Sequence, residues 1–293
     1  MKSARSGSAS QPGEPLLELL LTEVVPRLSR LACGPGPMTP PDRSPWPGRP
    51  VASMNLRDGP PQTGPLLVHA LELADLCQQG RAADAADLML RLRTAGVSIE
   101  ALFLQVLQPA AQHLGQGWSD DRLSFTDVTI ALGHLQQLFT GLLDEFQTLN
   151  ADEHGSADPL EGSPPTALFC TMPGATHRLG VQMVRAFFSR AGWRTRLANG
   201  DEPALIGQMC AMKPHLIGLS LNSETDIRGA AALILRVRNA CRSFQPSIMV
   251  GGAAIPFFPK LVDRLDADIV SGDATDALSR ASRLLTERTR GTR

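Results

Sequence analysis

Three short segments of the sequence contain residues that suit ligand binding. Each follows a run of apolar residues and combines small or polar side chains with glycine. The segments contain Thr176, His177 and Gly180, then Ser220 and Leu221, then Gly251 and Gly252. A neutral imidazole offers one ring nitrogen to a metal, so His177 is a candidate metal ligand. A single loop histidine is more often merely solvated, so this residue alone does not define a site.

The adjacent glycines indicate a close approach to the backbone. Glycine has no Cβ and therefore tolerates contacts and conformations that other residues do not. The simpler interpretation of Gly251 and Gly252 is a tight turn. The ligand interpretation is favoured because all three segments are predicted to follow strands of one sheet.

The elements that would position these segments lie in the C-terminal half, where short apolar runs alternate with helical periods. The predicted strands are Ala167–Thr171, Arg194–Ala198, Leu216–Leu221, Ile248–Val250 and Ile269–Val270. The predicted helices are Arg178–Ala191, Pro203–Met212, Asp226–Ser243, Phe257–Leu265 and Asp273–Leu285. This alternation predicts an α/β fold over residues 166–293, a flavodoxin-like doubly wound sheet of five parallel strands. Ligands of such sheets bind at the carboxyl ends of the strands.

Residues 66–149 are predicted to be entirely helical. The four segments are Leu67–Cys77, Ala82–Thr94, a helix from Ser98 towards Gly117, and a helix that starts at Ser124. Gly96 is a C-terminal cap of the second helix, and Pro109 should kink the third. Ser124 and Asp127 have the spacing of a capping box. Four helices with short links predict a four-helix bundle.

Proline distinguishes the N-terminal region from the rest, since 13 of the 23 prolines lie in residues 1–65. This composition predicts a flexible arm. Its one candidate helix, Pro15–Leu31, could dock on a partner or pack on its own protein. Internal Met38 and Met54 are candidate alternative start sites, and the polar, turn-forming residues 150–165 are predicted to be a domain linker.

Charge and composition exclude several classes of function. Lys and Arg total 28 against 29 Asp and Glu, a net charge of −1, which argues against a broad basic DNA-binding surface. We expect neither a membrane-spanning helix nor a secretory signal. The five scattered cysteines are typical of reduced thiols in a cytoplasmic protein. The sequence shows no catalytic triad, phosphate loop or paired carboxylates, so we expect no independent enzyme.

With these residues in place, the C-terminal half resembles the cobalamin-binding domain shared by methionine synthase, corrinoid carrier proteins and light sensors of the CarH type. The resemblance rests on His-x-x-Gly, a serine after the third strand and Gly-Gly after the fourth. In that family the histidine binds cobalt from below and displaces the cofactor's dimethylbenzimidazole, whose nucleotide tail enters the sheet domain. The resemblance implies that His177 is the lower axial cobalt ligand. It also implies cofactor binding by Thr176, Gly180, Ser220, Leu221, Gly251 and Gly252.

The helical bundle resembles the cap that covers the upper face of the corrin ring in this family. Trp118 matches the tryptophan that begins the cap signature, and the resemblance implies that it packs on that face. Val128 and Thr129 stand where the signature ends in Glu-His, and Val128 is carried over as a cofactor-binding position. Ala175 replaces the acid that would hydrogen-bond the ligand histidine, which should weaken control of its tautomer. Ser119 replaces the second histidine of CarH-type sensors.

These departures argue against adenosyl or radical chemistry and favour one branch. The stretch Trp118–Thr129, the Pro-Gly-x-Thr-His run that ends at His177 and the proline-rich arm resemble the AerR/PpaA group of photosynthesis-gene regulators. Members of that group bind cobalamin or haem and act as antirepressors or co-regulators of PpsR/CrtJ-type transcription repressors. The resemblance implies a non-catalytic, light- or tetrapyrrole-responsive regulator that binds cobalamin and works by protein–protein contact.

Three other interpretations stay open, as does the oligomeric state. Imidazole also ligates haem iron, and a second axial ligand could come from His69, His113, His134 or His215. The chain could instead be the corrinoid carrier of a methyltransferase. Direct DNA binding would use the arginines at positions 178, 185, 190, 194 and 196, but such a cluster is usually a solvated helix face. We therefore expect the repressor partner to supply the main DNA contacts.

Overall fold

The computed structural model describes residues 64, 66–148, 164–175 and 178–291. Most of the predicted arm lies outside these ranges, including Pro15–Leu31 and both internal methionines. Almost all of the predicted linker lies outside them too, as do Thr176 and His177. What was inferred for these residues from the sequence stays a prediction.

The N-terminal part of the described chain is helical, as predicted. Its elements are α1 (Leu67–Gln78), α2 (Ala82–Thr94), α3 (Ile99–Ala101), a π-helix (Leu102–Leu107), α4 (Gln108–Ser119) and α5 (Phe125–Thr148). The predicted third helix therefore consists of three consecutive segments, α3, the π-helix and α4. The sequence predicted a kink at Pro109, and the structure has the π-helix directly before it. The Gln108 N–H donates to the Phe103 carbonyl five residues back.

The predicted helix caps are present. Gly96 follows α2 with φ +89°, and its N–H donates to the Arg93 carbonyl at 3.0 Å. At the start of α5, the Asp127 N–H donates to Ser124 Oγ at 3.2 Å, and the Ser124 N–H donates to Asp127 Oδ2 at 3.0 Å. These bonds satisfy donors at the helix start that would otherwise lack partners. The bonds from Ser124 hold the pKa of Asp127 below its usual range.

The C-terminal part is a parallel sheet with helices between its strands. The strands are β1 (Thr166–Thr171), β2 (Arg194–Ala198), β3 (Leu216–Ser220), β4 (Ser247–Gly251) and β5 (Ile269–Val270). The helices are α6 (Leu179–Arg190), α7 (Glu202–Met212), α8 (Glu224–Ala240), α9 (Pro259–Val262) and α10 (Ala274–Gly291). The strand order β2-β1-β3-β4-β5 is the flavodoxin-like order, which confirms the predicted fold class.

One predicted helix of the sheet domain is wrong. The sequence indicated a single helix over Phe257–Leu265, whereas the structure has a 3-10 turn, Ile255–Phe257, followed by the one-turn helix α9. Pro259 begins α9, where a missing N–H is tolerated. The residue before a proline is disfavoured in the α conformation, and Phe258 has φ −128° and ψ 49°. The proline therefore separates the two short elements.

The two faces of the sheet have different cores. On one face, α6 and α10 cover an aromatic row in which Phe188 lies 5.1 Å from Phe169 and 5.3 Å from Trp193, between ring centroids. Helices α7, α8 and α9 cover the other face with mainly aliphatic side chains and buried cysteines. Both faces are covered, which is why the central strands β3 and β4 are apolar with little alternation.

The bundle packs on the sheet domain through α6. Phe146 of α5 lies 5.0 Å from Phe187, and the Arg190 guanidinium lies 4.5 Å from the Phe146 ring centroid. Leu179 at the start of α6 and Ala274 at the start of α10 join the bundle core as well. Helices of parallel sheets start beside the carboxyl ends of the strands, so this core reaches the carboxyl edge of the sheet. No helix in the described ranges is both long and apolar enough to cross a lipid bilayer.

Candidate functional site

The strand-end residues singled out in the sequence lie side by side at the carboxyl edge of the sheet. Ser220 pairs with Thr171 of β1 on one side and with Gly251 of β4 on the other. The Leu221 N–H donates to the Gly251 carbonyl at 2.7 Å, and the Leu221 carbonyl accepts from the Ala254 N–H at 3.1 Å. The structure therefore brings Ser220, Leu221, Gly251 and Gly252 together, as their predicted positions required.

The neighbouring backbone leaves room only for glycine at positions 251 and 252. A Cβ on Gly251 would stand 2.7 Å from the Ser271 carbonyl oxygen. Gly252 has φ +113°, and a Cβ there would stand 2.7 Å from the Leu221 nitrogen and closer still to the Leu221 carbonyl oxygen. Both contacts are with main-chain atoms, which cannot move aside cheaply. The close approach predicted from Gly251 and Gly252 is thus made by neighbouring strand ends.

Gly180 is different, because no neighbour accounts for its lack of a side chain. It is the second residue of α6, and no heavy atom lies within 4 Å of the position that a Cβ would take. Glycine in a helix costs about 1 kcal/mol relative to alanine. Packing among the described residues does not require this cost. Gly133, Gly141 and Gly207 are likewise helical and uncrowded, so the open space at Gly180 leaves room for a ligand without indicating one.

A polar network fixes the loop that follows β3. Ser220 is 9% exposed, and the Asn222 side-chain amide approaches its hydroxyl at 3.5 Å. The Asn222 N–H donates to Asp226 Oδ2 at 2.7 Å, and the Asp226 N–H donates to Ser223 Oγ at 3.0 Å. The sequence interpretation missed Asn222, Ser223 and Asp226. The Ser-x-x-Asp spacing at the start of α8 is a capping signal that could have indicated them.

The loop after β1 is described up to Ala175 and again from Arg178, so Thr176 and His177 lie outside the described residues. Before that gap, the chain turns at Gly174, with φ +81°, and the Ala175 N–H donates to the Met172 carbonyl at 3.0 Å. Thr171 Oγ1 lies 3.5 Å from the Ala175 carbonyl. The residues on both sides of the predicted ligand are thereby placed at the carboxyl edge.

A crevice of about 450 Å³ opens beside this loop. Its walls come from Thr171–Ala175, Arg178, Ala198–Asp201 and Leu205. The sequence interpretation searched the loops after β1, β3 and β4 and did not name the loop after β2. The Asn199-Gly200 pair, with φ +122° at Gly200, is the signal that could have indicated it.

The cap residues carried over from the resemblance lie at one end of the bundle. Trp118 is half-buried near the end of α4, and Val128, 7% exposed, is in the first turn of α5. The turn between these helices folds back on Gly117, whose carbonyl accepts the Arg122 N–H at 2.8 Å. Phe125 beside it is 48% exposed. That Trp118 and Val128 face a cofactor stays a prediction.

Three of the histidines considered as alternative ligands have polar partners. His134 Nδ1 lies 3.1 Å from the Cys77 carbonyl, and His69 Nδ1 lies 3.4 Å from the Glu72 carboxylate. His215 Nδ1 accepts from the Thr166 N–H at 3.1 Å and lies near its hydroxyl. Across the described residues, no group of three or more His, Cys, Asp or Glu side chains is arranged to hold a metal ion.

The sequence suggested that the arginine cluster forms one solvated helix face. In the structure, its members have different surroundings. Arg194 and Arg196 are exposed on β2, and Arg178 is exposed before α6. Arg190 contacts the bundle through the Phe146 ring, and Glu100 lies 3.8 Å away. Arg185 is half-buried, with its Nε buried and without a hydrogen-bond partner among the described residues. Helix α6 turns part of the cluster towards the protein interior because its side chains alternate between packed and exposed faces.

One protein-family model matches the sheet domain. Residues 165–282 match the family model of the B12 binding domain. The match begins one residue before β1 and ends within α10, so it covers every strand of the sheet and all the strand-end residues described above. The resemblance inferred from His-x-x-Gly, serine and Gly-Gly is thereby supported at the level of the domain.

Two further similarities extend over the bundle. The chain is 27% identical over 191 residues to an uncharacterized 20.5 kDa protein in the bchF-crtJ intergenic region of Rhodobacter capsulatus. That alignment covers 65% of this chain and 95% of the relative. Among solved structures, the monomethylamine corrinoid protein of Methanosarcina barkeri superimposes with a TM-score of 0.61, at 16% identity, over 73% of this chain and 96% of that chain. At such identity the superposition shows a shared fold.

Proposed function

We propose that this chain binds cobalamin at the carboxyl edge of its sheet and acts as a light- or tetrapyrrole-responsive regulator. The observation that carries the proposal is the match of residues 165–282 to the B12 binding domain. Gly180, at the start of the helix that follows His177, leaves room for this cofactor.

In this proposal, His177 gives one imidazole nitrogen to the metal, and residues on the described chain receive the rest of the cofactor. Gly180 leaves room at the start of α6, and Ser220 presents a nearly buried hydroxyl at the adjacent strand end. Bound cobalamin would supply a cobalt ion that can exchange a ligand. Ala175 offers no carboxylate to orient the imidazole, so the lower ligand is held less firmly than in relatives with an acid there.

The same helix that follows His177 supports a route from the site to the bundle. Helix α6 starts two residues after His177, and Leu179, Met183 and Phe187 pack into the bundle core. A shift of the β1–α6 loop would therefore act on that packing. Such a shift regulates a partner only if the partner binds the two arrangements with different affinity.

The gene context of the relative supports the choice of partner. The Rhodobacter capsulatus protein lies in the bchF-crtJ intergenic region. We propose that the partner is a PpsR/CrtJ-type repressor, that the contact is between proteins, and that DNA is affected mainly through the repressor. The domain match favours cobalamin over haem, the cofactor alternative left open by the sequence.

The cofactor proposal is tested by mixing purified protein with hydroxocobalamin, removing free cofactor by gel filtration and recording the visible spectrum. We expect coloured wild-type protein and loss of most of the colour in His177→Ala. His69→Ala is the matched control, because His69 lies exposed on α1, and it should retain wild-type uptake. Equal uptake by His177→Ala would remove His177 from the site. Uptake of haem alone would replace cobalamin in the proposal.

The regulatory proposal is tested with a purified CrtJ-type repressor and its operator DNA. We expect cobalamin-loaded protein to lower repressor occupancy of the DNA, with different strength in darkness and after illumination. The cofactor-free protein is the control. An occupancy that never changes would contradict the regulatory role, whereas methyl transfer from methylcobalamin-loaded protein to a thiol would favour a corrinoid carrier.

A further inference from the structure

Two cysteines lie against each other on the face of the sheet away from the bundle. Cys210 is in the last turn of α7, and Cys241 directly follows α8. The Cys210 sulfur lies 3.8 Å from the carbonyl oxygen of Ala240, the residue before Cys241. Both cysteines pack on one aliphatic core. The two helices thus meet through a pair of thiols.

The pair lies at the opposite edge of the sheet from the candidate cofactor site. Helices α7 and α8 start at the carboxyl edge and run back, and Cys210 and Cys241 stand at their ends. Any chemistry of these thiols is therefore separate in space from His177 and the strand-end residues. It can be tested whether or not the cofactor proposal holds.

The two thiols differ in access to solvent. Cys210 is partly exposed, whereas Cys241 is fully buried. Burial raises the pKa of the Cys241 thiol to about 12, and the neighbouring Cys210 adds to this. A small oxidant in solution can therefore reach Cys210 first. Cys241 stays protonated at neutral pH, so its reaction with the product requires the loss of its proton in that step.

We propose that Cys210 and Cys241 form a reversible disulfide when the protein meets a peroxide. In the first step, the Cys210 thiolate attacks one peroxide oxygen, the O–O bond breaks, and sulfenic acid and hydroxide form. In the second, the Cys241 thiol loses its proton, its sulfur attacks the Cys210 sulfur, the S–O bond breaks, and the leaving hydroxide takes up a proton and becomes water. Overall, two thiols lose two electrons and two protons, and hydrogen peroxide becomes two molecules of water.

The bond would tie the end of α7 to the end of α8. In a reducing compartment it would be transient, as disulfides that sense oxidants usually are. A thiol donor reverses it by exchange. The structure thus assigns a redox-responsive link to a face of the domain that the cofactor proposal leaves unused.

The test is peptide mapping of the purified full-length protein after treatment with hydrogen peroxide. Arg228, Arg236 and Arg238 separate the two cysteines, so trypsin places them in different peptides. We expect a linked pair of peptides that contains Cys210 and Cys241, lacks two hydrogen atoms and separates after addition of dithiothreitol. Oxidation of Cys210 to sulfinic acid with Cys241 still reduced would overturn the proposal, as would a link to another cysteine.

Variants sharpen the test. Cys210→Ser should abolish the linked peptide, and Cys241→Ser should leave a sulfenic acid on Cys210 that dimedone labels. Cys170→Ala is the control, because Cys170 is buried in β1 and should leave the link intact. The peptide map of the wild-type protein tests the disulfide without any substitution. The proposal therefore stays testable even if one of the variants does not fold. Unlabelled Cys210 in folded Cys241→Ser would contradict the order of the two steps.

Discussion

The two halves of the sheet's carboxyl edge are built differently. At the ends of β3 and β4, backbone atoms from Leu221, Gly251 and Ser271 lie so close that only glycine fits between them. At the ends of β1 and β2, a crevice of about 450 Å³ remains, and Gly180 faces open space. Gly251 and Gly252 thus have a structural explanation in the neighbouring backbone, whereas no neighbour within 4 Å explains Gly180.

Gly251 and Gly252 are therefore needed by the fold of the strand ends, whereas Gly180 leaves space beside the start of α6. A glycine that is packed by its own backbone says little about a ligand, because the fold requires it in any case. Gly180 leaves open space at the start of α6, and Gly207 and Gly272 show that such space occurs elsewhere in the described chain as well.

The largest expected effect is on the closed side. Gly252→Ala should lower the free energy of unfolding by about 3 kcal/mol, because the added methyl meets the Leu221 backbone and the residue has positive φ. Urea denaturation followed by circular dichroism measures this. Gly272→Ala is the control, since its Cβ would meet nothing within 4 Å, and it should change stability by less than about 0.5 kcal/mol. Equal stability of the two variants would show that the Leu221 backbone does not crowd position 252.

A smaller loss should follow removal of the carboxylate that holds the β3–α8 loop. Asp226→Ala deprives the Asn222 N–H of its acceptor, which we expect to cost about 2 kcal/mol. Thr225→Ala, at an exposed neighbouring position, should stay within about 0.5 kcal/mol of wild type in the same denaturation experiment. If Asp226→Ala also behaves like wild type, the loop is not fixed by this network.

The closed side should also respond to acid through Asp276. A hydrogen bond from Ser271 lowers the pKa of this carboxyl, with help from Arg280. A lowered pKa stabilises the fold above the usual carboxyl range, and that stabilisation is lost as the pH falls through the folded-state pKa. Ser271→Ala should therefore flatten the acid side of the stability curve measured by thermal unfolding. An unchanged slope would show that this bond does not contribute.

The smallest effect on stability is expected on the open side. Gly180→Ala should leave the free energy of unfolding unchanged or raise it by up to about 1 kcal/mol, because alanine favours the helix and meets no neighbour. The same variant should take up less hydroxocobalamin than wild type in the gel-filtration experiment. Gly207→Ala, also helical and uncrowded but on α7, is the control for uptake. Loss of stability in Gly180→Ala would show that the open side is packed after all.

Local patterns predicted most of the fold. The Ser124–Asp127 capping box, Gly96 and the apolar runs of the strands depend on neighbours in sequence, so their spacing was sufficient. The prediction of one helix over Phe257–Leu265 was wrong, because Pro259 starts a new helix where the apolar spacing suggested a continuous one. The π-helix likewise followed from no pattern in its own residues.

The site was predicted less completely, because its contacts join distant segments. Placing Ser220 beside Gly251 followed from the alternation of strands and helices, but the contact of Gly251 with Ser271 depends on the β3-β4-β5 order. Cys210 and Cys241 were interpreted as scattered thiols, since only the packing of α7 on α8 brings them together. The chemical role of His177 came from resemblance to a family, and spacing alone gave only a loop histidine.

The proposed function requires that an imidazole of this chain binds the cobalt. It is tested most directly by electron paramagnetic resonance of the protein loaded with cobalamin in the Co(II) state, after growth with ¹⁵N-labelled histidine. A cobalt-bound ¹⁵N splits each line into a doublet, whereas a ¹⁴N splits it into a triplet. We expect doublets in the labelled protein and their absence from labelled His177→Ala. Triplets in labelled wild-type protein would mean that the cofactor keeps its own nitrogen ligand, and would contradict the account.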